Sequence, residues 1–214
     1  MQPYYEQDGI TIYHGDCRSL TVPADALITD PPYGVAEPTD RKSRGRGALA
    51  ECNDFPAVAG DNEPFDPTPW IDYPVVVLWG ANHFADRLPV SAAWLVWDKR
   101  DGIPPNDNAD AEVAWTNVSG PIRLYHHTWN GMIKASERDE RRVHPTQKPV
   151  ALMRWVLERT TKPGDLVFDP FMGSGPIARA CADMGRRYVG CELVEAYCEA
   201  AANRLAQGAL NLSA

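Results

Sequence analysis

DLVFDPFMGSGPIARACADMGRRYVGCEL, residues 165–193, is the stretch from which the fold can be read. The apolar run DLVFD (165–169) has the composition of a buried strand and ends on a carboxylate. A glycine turn follows at 170–175, then a segment (176–185) that the pattern predicts as a helix, then a second strand-like run, RYVGCEL (187–193). Tyr197, Ala201 and Leu205 then recur at helical spacing. Strand, turn, helix, strand and helix over 165–206 make a βαβ unit, which is right-handed in nearly every known case.

Working outward, the same kind of run recurs toward the N-terminus: ITIYH (10–14), DALIT (25–29), VVVLW (75–79), AAWLVW (92–97), AEVAWT (111–116) and IRLYHH (122–127). Val150, Met153, Val156 and Leu157 have helical spacing behind Pro149, a favourable residue at the start of a helix. The expected fold is α/β, a mostly parallel sheet flanked by helices, in a single domain over 1–214. Residues 34–74 carry many of the 19 prolines and no clear period. A structureless stretch of that length is usually functional or mobile, so a lid or substrate-contacting loop is expected there.

At 214 residues, 44% hydrophobic and 23% charged, the chain has the composition of a soluble globular domain. No apolar run approaches the ~18 residues of a membrane span, and MQPYYEQDGI does not resemble a signal peptide, so a cytoplasmic protein is expected. The five cysteines (Cys17, Cys52, Cys181, Cys191, Cys198) form no C-x-x-C pair and read as buried thiols. His126 and His127 flank a strand without a metal-spaced partner, and no metal site is expected. A net charge of −8 argues against nucleic-acid binding over the whole surface but not against a local basic face.

The glycine turn alone leaves two chemistries open. Its glycines let a ligand approach the backbone, the helix start offers free N–H groups, and Glu192, nineteen residues after Gly173, can accept both hydroxyls of a ribose. GSGPIA also satisfies the dinucleotide pattern G-x-G-x-x-A, so an NAD-dependent oxidoreductase fits the turn equally well.

Asp30-Pro31-Pro32-Tyr33, at the end of DALIT, separates them. Two prolines stiffen the strand end, which then presents the Asp30 carboxylate and a backbone carbonyl toward one point, beside the Tyr33 ring. That arrangement answers a particular chemical problem. The exocyclic amine of adenine or cytosine is a poor nucleophile because its lone pair is delocalised into the ring. Acceptors on its N–H groups favour a pyramidal nitrogen, and holding that nitrogen in line with a methyl donor captures the advantage of an intramolecular reaction.

With these residues in view, the chain resembles the S-adenosylmethionine-dependent DNA amino-methyltransferases of the N6-adenine/N4-cytosine family. DPPY (30–33) is similar to their catalytic motif, and DPFMGSG (169–175) to their cofactor loop. HPTQKP (144–149) resembles a third motif, and GDC (15–17) an N-terminal one. The order of these elements matches the circularly permuted β subgroup, and they cover residues 15–205. Chain order then divides the sequence into a catalytic half (1–133) and a half with HPTQKP and the cofactor loop (134–214). The resemblance implies a Rossmann-like methyltransferase fold, S-adenosylmethionine as donor, and double-stranded DNA as substrate.

Carried over residue by residue, it implies that Asp30, Pro31, Pro32 and Tyr33 hold and stack on the target base. Asp169, Phe171, Gly173 and Gly175 would line the methionine part of the donor, Glu192 would take the ribose, and Asp16 and Cys17 would lie near its adenine. Thr146 and Lys148 would hold the methionine carboxylate. Pro176 departs from the family's usual threonine and removes a hydroxyl and an N–H, which implies modestly altered donor affinity. The basic clusters Arg41, Lys42, Arg44, Arg46 and Lys134, Arg138, Arg141, Arg142 are tethered beside the motifs and are expected to contact phosphates. The Asp-first tetrapeptide is associated with adenine N6, cytosine N4 being the alternative. An RNA or protein amino-methyltransferase fits the order of motifs less well. Little chain is left for reading sequence, so a short or degenerate site is expected unless a homodimer supplies a second reading surface.

Overall fold

The computed structural model describes residues 1–35, 60–104, 109–130, 133–138 and 147–212. The strands are β1 (Tyr5–Gln7), β2 (Ile10–His14), β3 (Ala26–Thr29), β4 (Val75–Trp79), β5 (Trp94–Asp98), β6 (Ala111–Thr116), β7 (Arg123–His126), β8 (Trp129–Asn130), β9 (Ile133–Lys134), β10 (Leu166–Asp169) and β11 (Arg187–Glu192). The α-helices are α1 (Val150–Thr160), α2 (Pro176–Asp183) and α3 (Glu195–Leu212). None of the described helices is long and apolar enough to cross a membrane.

Nine strands form one sheet in the order β1-β2-β11-β10-β3-β4-β6-β5-β7, with β8 and β9 paired apart from it. From β2 through β11, β10 and β3 to β4 every neighbour is parallel; β1, and β6 against both β4 and β5, run antiparallel. The sheet is therefore the mostly parallel α/β arrangement expected, with a mixed far side. The β1–β2 hairpin is an element the apolar runs did not indicate. Its turn places Asp8 and Gly9 at φ 50° and 80°, the left-handed pair that Asp-Gly favours in tight hairpins.

Period-two alternation along the central strands separates two apolar layers. Ala26, Ile28, Val77, Trp79 and Val167 face the layer in which α1, α2 and α3 bury Leu152, Val156, Ile177, Ala178, Cys198 and Ala201. Leu27, Val76, Leu78 and Phe168 face the other, which is covered by Phe65, Trp70, Ala81 and Phe84 from irregular chain and short 3-10 turns. Residues 60–74, the latter part of the stretch expected as a mobile loop, are thus tied into this second layer through Phe65 and Trp70, both 8% exposed. Their aromatic rings meet Phe171 edge-on, and burying such rings outweighs the loop's lack of secondary structure.

Both ends of the glycine turn have a local cause. Gly175 caps α2 at φ 72°, and a Cβ there would fall 2.7 Å from the Ala201 Cβ on α3. Only glycine permits both the left-handed backbone and that approach of helices. Pro176 is the first helical residue, where its missing N–H costs no hydrogen bond. At the start of α1, Glu137 supplies the cap from a distance: its Oε2 accepts the Val150 N–H at 3.0 Å.

Candidate active site

The sheet reverses its connection between β10 and β3. From β10 the chain passes through α2 to β11 on one side; from β3 it proceeds to β4 on the other. In open α/β sheets the crevice outside the carboxyl ends of such strands is the usual ligand site. DPPY leaves β3 and the glycine turn leaves β10 at this point, on adjacent strand ends. Two motifs separated by more than a hundred residues are thereby brought together.

On the β10 side the glycine turn closes on Glu192. The Glu192 Oε2 accepts from Gly173 N at 2.9 Å and Oε1 from Val194 N at 2.8 Å. Burial pushes its carboxyl above the ordinary value, against those N–H donors. The GDC segment joins from β2: Gly15 N donates to the Glu192 carbonyl at 2.9 Å, and Asp16 caps the following turn through Arg18 N at 2.9 Å. Cys17 is buried. Asp16, Cys17, Phe171, Gly173, Gly175 and Glu192 therefore surround one strand-end region. Ser174 Oγ, within the turn, is buried and has no hydrogen-bond partner among the described residues. An unpaired buried hydroxyl is costly, and it marks the turn as a cradle that a polar ligand can complete.

Asp169 is placed differently from its neighbours. It is 1% exposed, accepting from Thr29 Oγ1 at 2.6 Å and from Tyr188 OH at 3.0 Å. It ties β3, β10 and β11 together. Burial among neutral partners pushes its carboxyl up to about 7.

On the β3 side Asp30 holds two partners. Tyr33 OH donates to its Oδ1 at 2.5 Å, and the Lys148 ammonium forms an ion pair with its Oδ2. Burial and the nearby Glu112 carboxylate raise Asp30 above the usual carboxylate range, against the pull of Lys148. The Tyr33 ring lies flat on His83, with centroids 4.9 Å apart and planes 12° apart. Gly80, at φ 68°, leaves room for that ring, which any Cβ there would strike.

Lys148, expected beside a methionine carboxylate, is buried at the DPPY end, the residue being 3% exposed. There it meets Asp30, lies 3.2 Å from Glu112 Oε2 and donates to Tyr33 OH at 3.1 Å. A desolvated ammonium sharing two carboxylates has its charge compensated where it stands.

Glu112 and Lys99 were missed altogether, although a carboxylate inside the apolar run AEVAWT needs a buried cation to justify it. Register explains their position. β6 runs antiparallel to β4, with Trp79 opposite Ala114, so Glu112 at the start of β6 lies beyond the carboxyl end of β4. Glu112 Oε1 accepts from Lys99 Nζ at 2.9 Å. Burial opposes its ionisation, yet the Lys148 and Lys99 ammoniums hold it down at about 2.

Of the residues expected to face DNA, Lys134 lies over the Trp129 ring and Arg138 donates to the Lys134 carbonyl at 3.0 Å. Arg41, Lys42, Arg44, Arg46, Arg141, Arg142 and Thr146 lie outside the described residues, as does Cys52. Cys181, Cys191 and Cys198 are buried and free, like Cys17. His126 is paired with Asp98 at 2.9 Å and His127 with Ser136 at 2.9 Å.

The family model described as DNA methylase, for N6/N4 methyltransferases, matches residues 92–203. The chain belongs to this family. A putative methylase of Escherichia coli, YubD, is 46% identical over 92% of this chain and 93% of its own length. The type II methyltransferase M2.LlaDCHI of Lactococcus lactis is 22% identical over 97% and 93%. Among solved structures, M1.HpyAVI in its SAM complex superposes with a TM-score of 0.58 at 24% identity, covering 92% of this chain and 98% of that one. The cytosine-N4-specific PvuII DNA methyltransferase reaches the same TM-score at 17% identity, covering 94% and 88%. Both likenesses concern the fold.

Proposed function

We propose that this chain transfers a methyl group from S-adenosylmethionine to the exocyclic amine of a DNA base, and that the base is adenine, methylated at N6. The observation that carries the reading is the juxtaposition at the β3/β10 switch: a stiff DPPY end bearing a buried carboxylate beside a glycine cradle closed by Glu192. The cradle suits the donor, with Glu192 toward its ribose and Gly173, Ser174 and Gly175 giving a close backbone approach. The donor supplies an electrophilic methyl on a sulfonium.

This chain's own residues prepare the amine. Asp30 accepts an amine N–H and draws the nitrogen toward a pyramidal geometry, while Pro31 and Pro32 fix the direction of approach. Tyr33, backed by His83, offers a rigid ring for the base to stack on. A target inside a duplex must be extruded to reach this crevice, and Lys134 and Arg138 then contribute phosphate contacts. The order of DPPY, HPTQKP and cofactor loop supports the permuted β subgroup; the nine-stranded sheet, built from both halves of the sequence, supports one domain, and the little chain left for reading bases supports a short or degenerate recognition site.

The Asp-first tetrapeptide favours adenine, whereas the fold does not choose, since an N4-specific enzyme superposes equally well. Incubation with DNA and labelled donor, followed by mass spectrometry of the nucleosides, tests the proposal. N6-methyladenine is expected. N4-methylcytosine would overturn the choice of base, and no labelled nucleoside at all would overturn the function.

A further inference from the structure

The charges around Asp30 do not end with Lys148. Lys148 Nζ stands between Asp30 and Glu112, and Glu112 stands between Lys148 and Lys99. Two carboxylates alternate with two ammoniums, and the innermost cation is 3% exposed. Glu112 is used unequally. Its Oε1 is hydrogen-bonded to Lys99, whereas its Oε2, buried and 3.2 Å from Lys148 Nζ, makes no well-directed hydrogen bond. An under-used acceptor is therefore held next to an ammonium that leans on Asp30.

We propose that Glu112 is a positioning residue for methyl transfer, the second acceptor to which Lys148 turns when the target amine takes its place on Asp30. The inference rests on the amine-methyltransferase reading above. Both Asp30 oxygens are occupied in this structure, one by Tyr33 and one by Lys148. An incoming N–H competes with both for the lone pairs of the carboxylate. A buried ammonium pushed off Asp30 with nowhere to go would be left as an uncompensated charge. Glu112 Oε2, already 3.2 Å from the ammonium, removes that obstacle, and Lys99 helps to keep Glu112 ionised. The chemical step then balances. The amine lone pair forms the N–CH3 bond, the S–CH3 bond breaks with its electron pair left on sulfur, and the proton shed by nitrogen passes to Asp30, which Lys148 has vacated.

Glu112→Gln keeps the shape and removes the charge. The groups facing Asp30 are Tyr33 on its own segment, Lys148, Glu112 with Lys99 behind it, and Asp169 on the adjacent strand. Loss of the Glu112 charge lowers the pH at which Asp30 ionises. The expected result is a kcat lower by about tenfold or more, S-adenosylmethionine affinity by calorimetry within about twofold of wild type, and an acidic limb of kcat displaced to lower pH. A 13C titration of the Asp30 carboxyl, recognised by its loss in Asp30→Asn, should move the same way without DNA. Lys99→Met, which removes a positive charge from the exposed end, should move the titration upward and serves if Glu112→Gln does not fold. A reduced rate with an unmoved limb and titration would reduce Glu112 to a structural strut and overturn the proposal. If wild-type enzyme methylates no nucleoside, the functional reading fails on that ground alone, while the titrations still decide whether Glu112 governs Asp30.

Discussion

Asp30-Pro31 after β3 and Asp169-Pro170 at the end of β10 are the same two residues at the carboxyl ends of adjacent parallel strands, and they are linked through Thr29, whose hydroxyl binds Asp169. Asp169 is surrounded by neutral hydroxyls, from Thr29 and Tyr188, and burial carries its carboxyl to about 7. Asp30 faces a buried ammonium that also touches a second carboxylate. Equal sequence thus produces a brace in one place and an ion-paired carboxylate in the other. The difference lies in whether a cation reaches the strand end, and that depends on chain far from either aspartate.

The largest effect should come from removing the charged corner. Asp30→Ala is expected to lower methyl transfer by roughly 10³-fold while calorimetry still finds donor binding, because the carboxylate addresses the amine and not the cradle. Retention of most of the rate would erase the distinction between the two corners.

Lys148→Met asks the same question of stability. It strands Asp30 and Glu112 in a buried site, and breaking a buried pair by removing one partner costs about 3–5 kcal/mol. Urea unfolding of both proteins measures it; a loss below about 1 kcal/mol would place Lys148 among ordinary surface lysines.

Glu192→Ala sharpens the contrast from the cradle side. Donor affinity should weaken by about 1.5–3 kcal/mol for each charge-assisted hydrogen bond lost, whereas turnover at saturating donor changes less. Unaltered affinity in calorimetry would reduce Glu192 to a clamp on the turn.

The smallest effect is confined to pH. In the folded protein Asp169 keeps its proton up to about 7, while the unfolded chain releases it near the ordinary aspartate value of 3.8. Between those values the folded state binds more protons, so stability falls as pH rises; below them this penalty is absent. Asp169→Asn should flatten that fall by at most about 1.4 kcal/mol per pH unit. Denaturant midpoints across the window provide the measurement, and parallel slopes for the two proteins would show that Asp169 is ionised like any exposed carboxylate.

The chain's own pattern determined the fold class and both strand-end motifs. ITIYH and VVVLW coincide with β2 and β4 residue for residue, because buried strands impose a local composition that any short window reveals. DPPY and the glycine turn were legible for a similar reason, since stiffness and positive φ are set by the residues themselves. The Asp8-Gly9 hairpin carries a local signal as well, in its turn residues rather than in an apolar run. Tertiary structure alone decided that residues 60–74 pack under Phe171 and that Lys148 pairs with Asp30. It also decided that the two sequence halves interleave, with β10 and β11 lying between β2 and β3. Glu112 shows why. Its place beside Asp30 follows from an antiparallel register between β6 and β4, a long-range pairing that no local composition encodes. What such a pairing brings together is charge, and charge in a buried site is governed by what stands within a few ångströms in space rather than along the chain.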